Sequence, residues 1–330
     1  IKAEREFLNY GVFVCYFPLL VAGPIERATH LLPQVRQKRE FSYLLAAQGM
    51  QQILWGLFKK VVVADNCAIY ADAVFSSYAS ASSIQLFTAV ILFAFQIYGD
   101  FSGYSDMALG FSKLLGIRLL RNFAYPYFSR DIAEFWRRWH ISLTSWFRDY
   151  VYIPLGGSRV AVGRQIRNTF IIFLLSGFWH GANWTFITWG LLNALYFIPL
   201  LLFKRNRLHL DTVAKGRHLP SLKELWQMVL TFMFVCIAWI FFRSPTLHDA
   251  IGFIEHLFIG GGRVDQLSWN YPIAAVIIML VIEWFGRHSE MPFNFIGSAA
   301  PRALVYLLIA LLIVFMGAYV NPRSFIYFQF

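Results

Sequence analysis

One histidine stands at the turn between two apolar segments. His180 lies in the run Phe178–Trp184, and the flanking apolar segments cover 168–179 and 184–203. A helix over the first segment rises only about 18 Å, less than the roughly 30 Å of a bilayer core. This spacing predicts that His180 lies at membrane depth, where an imidazole suits proton transfer near neutral pH. The alternative is a structural histidine that bonds a carbonyl group at the helix end, although Gly181 would permit close approach of a ligand.

A second candidate site is the basic and aromatic run Glu134–Tyr150. It contains His140, Asp149 and three arginines, Arg137, Arg138 and Arg148. Guanidinium groups there could hold the phosphates of a nucleotide-containing donor or of lipid headgroups. Glu134 and Arg138 are four residues apart and can pair on a helix. An amphipathic surface helix explains the composition equally well, but the Gly-rich turn Tyr152–Ser158 that follows favours a bound ligand.

A third feature is the polar stretch Tyr98–Gly110, which directly continues an apolar helix. It carries Asp100 and Asp106 with two serines and three glycines. Such residues are expected to break a membrane span and to line a cavity. The two carboxylates would then orient a histidine or bind a hydroxyl-rich acceptor, or they would cap the following helix.

The composition predicts a helical membrane protein that holds these residues. Hydrophobic residues make up 58% of the 330 residues, and charged residues only 14%. A soluble enzyme of this size would need more charged residues on its surface, and the high hydrophobic content also excludes a disordered chain. The net charge of +11 is explained by membrane topology and anionic lipid, so no nucleic-acid partner is expected. The cysteines lie far apart and the histidines lack metal-ligand spacing, so no metal site is expected.

Eight apolar segments are expected to form helices, and several of them are too short to cross a bilayer alone. The predicted fold is therefore all-α and polytopic, with short, re-entrant and interfacial helices around an internal funnel. The first residue is Ile1 rather than Met, so 1–330 is interpreted as a single domain that lacks earlier spans. The segments cover 7–22, 43–63, 84–98, 168–179, 184–203, 225–242, 271–286 and 302–320.

The distribution of Lys and Arg predicts the topology. Ten of the 29 lie within 113–167 and six within 204–223, so both connections are expected to face the cytoplasm. The connections 64–83 and 243–270 are expected on the opposite side. Lys59 and Lys60 conflict with this scheme, which suggests that 43–63 is an interfacial or tilted helix.

Six segments of the chain, in order, resemble the membrane-bound O-acyltransferase family. Within that family the chain looks most like the branch that acetylates alginate and related bacterial exopolysaccharides. The continuation YIPLGG after WFRDY favours this branch over D-alanyl transfer to teichoic acid. The segments are FPLLVAGPIER, GLFKKVVVADN, YGDFSGYSDMALG, EFWRRWHISLTSWFRDYVYIPLGGSR, SGFWHGANW and FIYFQF.

The resemblance implies that His180 is the family's active-site histidine and that His140 matches its second histidine. It also implies a funnel that opens to the cytoplasm. Acyl transfer from a thioester to an alcohol needs a base and oxyanion stabilisation. His180 could serve as base, with Asn183 or Trp184 as a nearby donor, while His140 orients the thioester or protonates the leaving thiolate. No GxSxG motif is present, so a covalent serine intermediate is disfavoured.

The expected function is acetyl transfer in the bacterial inner membrane toward an alginate-like polysaccharide or a relay protein. Acetyl-CoA or a similar thioester is the expected co-substrate, and no bound cofactor is expected. The expected partners are lipid and a periplasmic acetyltransferase or polysaccharide-export protein. The alternatives are D-alanyl transfer to teichoic acid, a membrane transporter and a non-catalytic scaffold.

Overall fold

The chain folds into α-helices joined by turns, and the computed structural model describes residues 4–262, 268–319 and 324–326. π-helical turns at Phe58–Ala64 and Arg148–Tyr152 interrupt the α-helical pattern. Helices occupy all eight predicted apolar segments. In the described part the α-helices are α1 (Phe7–Cys15), α2 (Ala28–Arg36), α3 (Tyr43–Leu57), α4 (Asp65–Ser76), α5 (Ser83–Leu114), α6 (Ile132–Arg138), α7 (Ile141–Phe147), α8 (Val162–His180), α9 (Trp184–Leu202), α10 (Leu222–Arg243), α11 (Leu247–Ile259), α12 (Asn270–Gly286) and α13 (Ala299–Met316).

Four helices of the described part, α5, α9, α10 and α13, are long and apolar enough to cross a membrane. This finding confirms the all-α, polytopic membrane fold. In α5, 78% of the most apolar window is buried inside the protein, against 11% in α13. The central position therefore belongs to α5, whereas α13 turns most of its apolar surface outward, where lipid can cover it.

The expected break in Tyr98–Gly110 is wrong, because α5 runs without interruption through all 32 of its residues. Its glycines serve close helix packing instead. A Cβ on Gly103 would lie 2.7 Å from the carbonyl oxygen of Gly56 in α3, and one on Gly110 would lie 2.6 Å from that of Gly49. Small residues at such a crossing let two helix backbones approach closely.

The interfacial interpretation of 43–63 is also wrong at its two lysines, because both are buried. Lys59 Nζ lies 2.6 Å from Asp106 Oδ2, and Lys60 Nζ lies 2.8 Å from Asp100 Oδ1. Both lysines belong to the π-helical turn Phe58–Ala64, which packs against α5. Opposite charges that pair inside a helical membrane protein avoid an isolated ion in apolar surroundings.

The hairpin around His180 consists of α8 and α9, and its first arm is longer than predicted. Helix α8 has 19 residues and begins at Val162 rather than at 168, so it rises about 28 Å. The added first turns contain Arg164 and Arg167, which are good helix formers although they interrupt the apolar pattern. Length alone therefore does not place His180 at mid-depth, but the apolar part of the arm still begins after Arg167.

Candidate functional site

His140 lies in a sharp break between two short helices. Helix α6 ends at Arg138, and His140 adopts a left-handed backbone conformation with φ 41° immediately before α7. The Ile141 amide donates to the carbonyl oxygen of Asn122 at 2.9 Å, which holds the break against the turn that follows α5. The side chain is buried, with its ring 4.6 Å from that of Phe101. The imidazole is therefore fixed by its backbone and by the central helix.

His180 is the last residue of α8, as the turn position predicted. Its half-buried ring packs edge-on against Trp189 in α9 and Phe242 in α10, with both centroid distances at 5.1 Å. A Cβ on Gly181 would lie 2.6 Å from the Phe186 ring. Glycine is thus required at this turn by the approach of Phe186, independently of any ligand channel.

Trp179 brings the two histidines into one region. Its ring centroid lies 4.9 Å from that of His180 and 6.3 Å from that of His140. The Trp179 side chain is about half exposed. The two imidazoles, 40 positions apart in sequence, therefore flank one accessible indole.

A cavity of about 870 Å³ runs beside α8. Its α8 wall includes Gln165, Thr169, Phe173 and Ser176. Residues three and four apart share a helix face, and His180 follows Ser176 by four positions. Neither His180 nor His140 lines the cavity itself. His180 lies on the same face of α8, one turn beyond Ser176, the last lining residue of that helix.

The other end of this cavity is basic. Arg148, Lys204 and Arg207 line it near the start of α8 and the end of α9. Arg137 also lines it, but its guanidinium donates to the carbonyl oxygens of Asn206 and His209, both at 2.8 Å. Arg148 is more accessible, with 61% of its side chain exposed. The cavity thus joins a cationic mouth to the helix face that ends at His180.

The remaining residues of the basic run are engaged in ion pairs. Arg138 Nη2 lies 2.8 Å from Glu134 Oε1, which confirms the predicted pairing, and Arg138 lies outside the lining of the 870 Å³ cavity. Asp149 accepts from Arg148 at 2.8 Å and from Arg27 at 3.3 Å. Arg148 is therefore the arginine of the run that is best placed for a ligand in this cavity.

Asn183 acts as the N-cap of α9. Its side-chain oxygen accepts from the Thr185 amide at 3.1 Å, and its side-chain nitrogen donates to the Pro245 carbonyl at 2.9 Å. Serine, threonine, asparagine and aspartate stabilise helix starts in this way. Its predicted role as an oxyanion donor would have to use the second hydrogen of the amide.

Asp100 does not line the large cavity, contrary to the expectation for its segment. One carboxylate oxygen pairs with Lys60 and the other accepts from the Ile326 amide at 2.6 Å. Asp106 pairs with Lys59 and lines a separate cavity of about 20 Å³. Neither carboxylate caps a helix, because α5 continues past both of them.

Arginines also hold the connection between α9 and α10. Arg130 pairs with Glu134 and with Asp211, and its Nη2 donates to the Asp211 carbonyl oxygen at 2.7 Å. Burial raises the pKa of the Asp211 carboxyl, but the hydrogen bond and the charge of Arg130 together outweigh burial and hold this pKa below its usual value. The connection is therefore fixed in place near the cavity mouth.

The sequence prediction missed several lining residues. In the sequence, Lys204 and Arg207 contribute only to the predicted topology, and Thr169 and Ser176 belong to a predicted apolar arm. The spacing of Gln165, Thr169 and Ser176, four and then seven residues apart, was the available signal, because it marks one polar face on α8. Among the described residues, no group of three or more His, Cys, Asp or Glu side chains could hold a metal ion.

Comparison with known proteins identifies related sequences. A model of MBOAT, the membrane-bound O-acyltransferase family, matches residues 4–242. The chain is 42% identical to the peptidoglycan O-acetyltransferase of Helicobacter pylori, over 80% of the chain and 49% of that protein. It is 34% identical to the probable alginate O-acetylase AlgI of Pseudomonas putida, over 99% of the chain and 70% of that protein.

A more distant relative is the teichoic acid D-alanyltransferase of Bacillus subtilis, 30% identical over 75% of the chain and 64% of that protein. The chain spans about half the length of several curated relatives that it matches. The resemblance inferred from the six sequence segments is confirmed.

Proposed function

The chain belongs to the membrane-bound O-acyltransferase family, and we propose that it performs acyl transfer from a thioester to a hydroxyl group. The observation that carries this proposal is the cavity of about 870 Å³, which joins a basic mouth to the helix face ending at His180. A phosphate-bearing donor would bind the basic mouth and extend its thioester toward the histidines.

The chemistry requires one base and one route for the leaving group. In the proposed step, His180 takes the proton of the acceptor hydroxyl as that oxygen attacks the thioester carbonyl carbon. The tetrahedral intermediate then collapses, the C–S bond breaks, and the thiolate leaves with the donor. The thiolate finally takes up the proton that His180 carries, and His140 in this proposal either relays that proton or orients the thioester.

We propose an acetyl group as the cargo and a cell-envelope polysaccharide, or a relay protein that serves one, as the acceptor. The H. pylori and P. putida relatives are named for O-acetylation, and each is more similar to the chain than the D-alanyltransferase of B. subtilis. The proposed location is the bacterial inner membrane, with the basic mouth open to the cytoplasm. D-alanyl transfer is the alternative, because that relative is similar over most of its length.

The test is acyl transfer in sealed membrane vesicles that contain the protein. Labelled acetyl-CoA is added on the side of the basic mouth, and thiol release and labelled polymer are measured. A parallel assay supplies a D-alanyl thioester instead. Acetyl transfer supports the proposal, whereas transfer of D-alanine alone selects the alternative.

Two other outcomes would refute acyl transfer altogether. Uptake of polymer or donor without thiol release would indicate a transporter. Absence of both, with restored acetylation when a separate acetyltransferase is added, would indicate a scaffold.

A further inference from the structure

A second cavity, of about 430 Å³, lies beside the first and shares Arg137 and Leu210 with its lining. It is enclosed by the turn after α5, the end of α6, the connection between α9 and α10, and the end of α12. Its volume lies within the range of roughly 300–1,000 Å³ that small-molecule sites occupy. Arg121, Arg137, Arg138 and Arg287 line it together with Glu134 and Glu290, and we call it the arginine cavity.

The positive charge of the arginine cavity is only partly neutralised. Arg138 is paired with Glu134, but Glu134 also forms an ion pair with Arg130, so one carboxylate is shared by two guanidinium groups. Arg137 and Arg287 donate to backbone carbonyl oxygens, and no carboxylate of the described residues forms an ion pair with either. Carbonyl oxygens orient a guanidinium group but do not neutralise its positive charge.

Arg121 is the most available of the four arginines. Its guanidinium carbon lies 4.7 Å from the centroid of the Tyr125 ring, and the side chain is half-buried. Within the described ranges it forms no ion pair with an acidic residue. A guanidinium held over an aromatic ring keeps its donors in one plane, which suits an anion with several oxygens.

We propose that the arginine cavity binds a phosphate-bearing anion, either a soluble phosphate or the phosphate of an anionic lipid headgroup. Arg121 supplies direct hydrogen bonds, and the fixed charges of Arg137 and Arg287 strengthen the local positive potential. Trp284, beside the cavity, is a half-exposed aromatic of the kind that is common at a membrane interface, and its ring centroid lies 4.1 Å from the Arg287 guanidinium carbon. This site is separate from the proposed acyl-transfer site, although Arg137 lies in the wall between the two cavities.

Binding to the detergent-purified, delipidated protein tests the proposal without an activity assay. The probes are dihexanoyl phosphatidylglycerol, inorganic phosphate and, as a zwitterionic control, dihexanoyl phosphatidylcholine. The test variant is Arg121→Gln. The matched control is Arg118→Gln, which removes the same charge from an exposed side chain three residues away that does not line the cavity.

Arg121→Gln should weaken the binding of an anionic probe by about tenfold or more, because a charge-assisted hydrogen bond is lost. Arg118→Gln should change it by less than twofold, and Arg121→Lys should weaken it less than Arg121→Gln does, because the charge stays but the planar set of donors is lost. Tighter binding of phosphatidylglycerol than of phosphate assigns the site to lipid, and comparable binding assigns it to soluble phosphate. The proposal is overturned if neither anion binds, if phosphatidylcholine binds equally well, or if Arg121→Gln and Arg118→Gln behave alike. A thermal melt of each variant shows whether it is folded.

Discussion

His140 depends on a backbone conformation that few side chains adopt. Its φ of 41° lies in the left-handed region, which asparagine tolerates better than alanine or a branched residue does. The sequence pattern suggested that the helix containing Arg137 and Arg138 continued through His140. The structure ends that helix at Arg138, and the break turns the imidazole toward Phe101.

Replacement of His140 can therefore separate chemistry from folding. We predict that His140→Asn keeps the melting temperature of the parent but lowers the rate of acyl transfer by about 10²- to 10⁴-fold, the range of a lost proton-transfer group. The measurement pairs a thermal melt with the acetyl-transfer assay. Parent-like transfer by a folded His140→Asn protein would exclude a chemical role for this histidine.

Arg148 and Arg138 provide a second residue-scale test. Arg148→Gln should weaken apparent donor affinity by roughly ten- to a hundredfold, because Arg148 lines the mouth of the large cavity. Arg138→Gln should leave that affinity within twofold, because Arg138 is paired with Glu134 outside that cavity. Titration of the donor against both variants decides the matter. Equal effects would contradict the assignment of the mouth to Arg148.

Some residue roles could be predicted from sequence and others could not. The Glu134–Arg138 pair follows from a four-residue spacing, and His180 follows from its turn between two apolar segments. The sequence leaves Asn183 as a candidate catalytic donor, because an asparagine that caps a helix cannot be distinguished there from one that donates to a reacting oxygen. Only the contacts with Thr185 and Pro245 show that its side chain stabilises the helix start.

Helix α5 contains a polar segment that helix packing and ion pairs keep helical. Three glycines and two aspartates in Tyr98–Gly110 predict a broken span, since glycine weakens an isolated helix. In the structure, the glycines admit the backbone of α3 and the aspartates pair with Lys59 and Lys60. Sequence alone could not show this, because each partner lies some 40 to 60 positions earlier in the chain.

The glycine contacts predict opposite effects for two alanine substitutions. Gly103→Ala should destabilise the protein by about 1–3 kcal/mol, because the new methyl group meets the carbonyl oxygen of Gly56. Gly163→Ala should be neutral or stabilise by up to about 1 kcal/mol, because open space surrounds this position in α8. Unfolding of both variants in the same detergent is the measurement. A Gly103→Ala protein as stable as the parent would show that α3 and α5 tolerate a wider separation.

At the scale of the whole molecule, charge distribution predicts topology. Helix α10 has 22 residues and is apolar enough to cross the membrane, so its two ends are expected on opposite sides. The connection before it carries six of the 29 Lys and Arg residues, which favours the cytoplasm. Membrane crossing, charge bias and the presence of an internal funnel could be predicted from the sequence. The residues that line the two cavities could not, because they come from distant segments.

Cysteine labelling tests this topology in a background without Cys15, Cys67 and Cys236. We predict that a cysteine at Lys215 reacts only from the cytoplasmic side and that one at Glu255 reacts only from the opposite side of intact cells. Both positions are exposed in the structure. Labelling at Lys215 from outside would reverse the predicted orientation and with it the proposed cytoplasmic entry of the donor.

In the proposed mechanism the large cavity delivers an acyl thioester to His180, and the His180→Ala variant tests this role. The matched control is His248→Ala, an exposed histidine of α11 that lies outside the large cavity. The measurement is label transfer from acetyl-CoA in vesicles, with membrane insertion checked in parallel. We predict that His180→Ala inserts normally but loses transfer, while His248→Ala retains it. Full transfer by a correctly inserted His180→Ala protein would contradict the account.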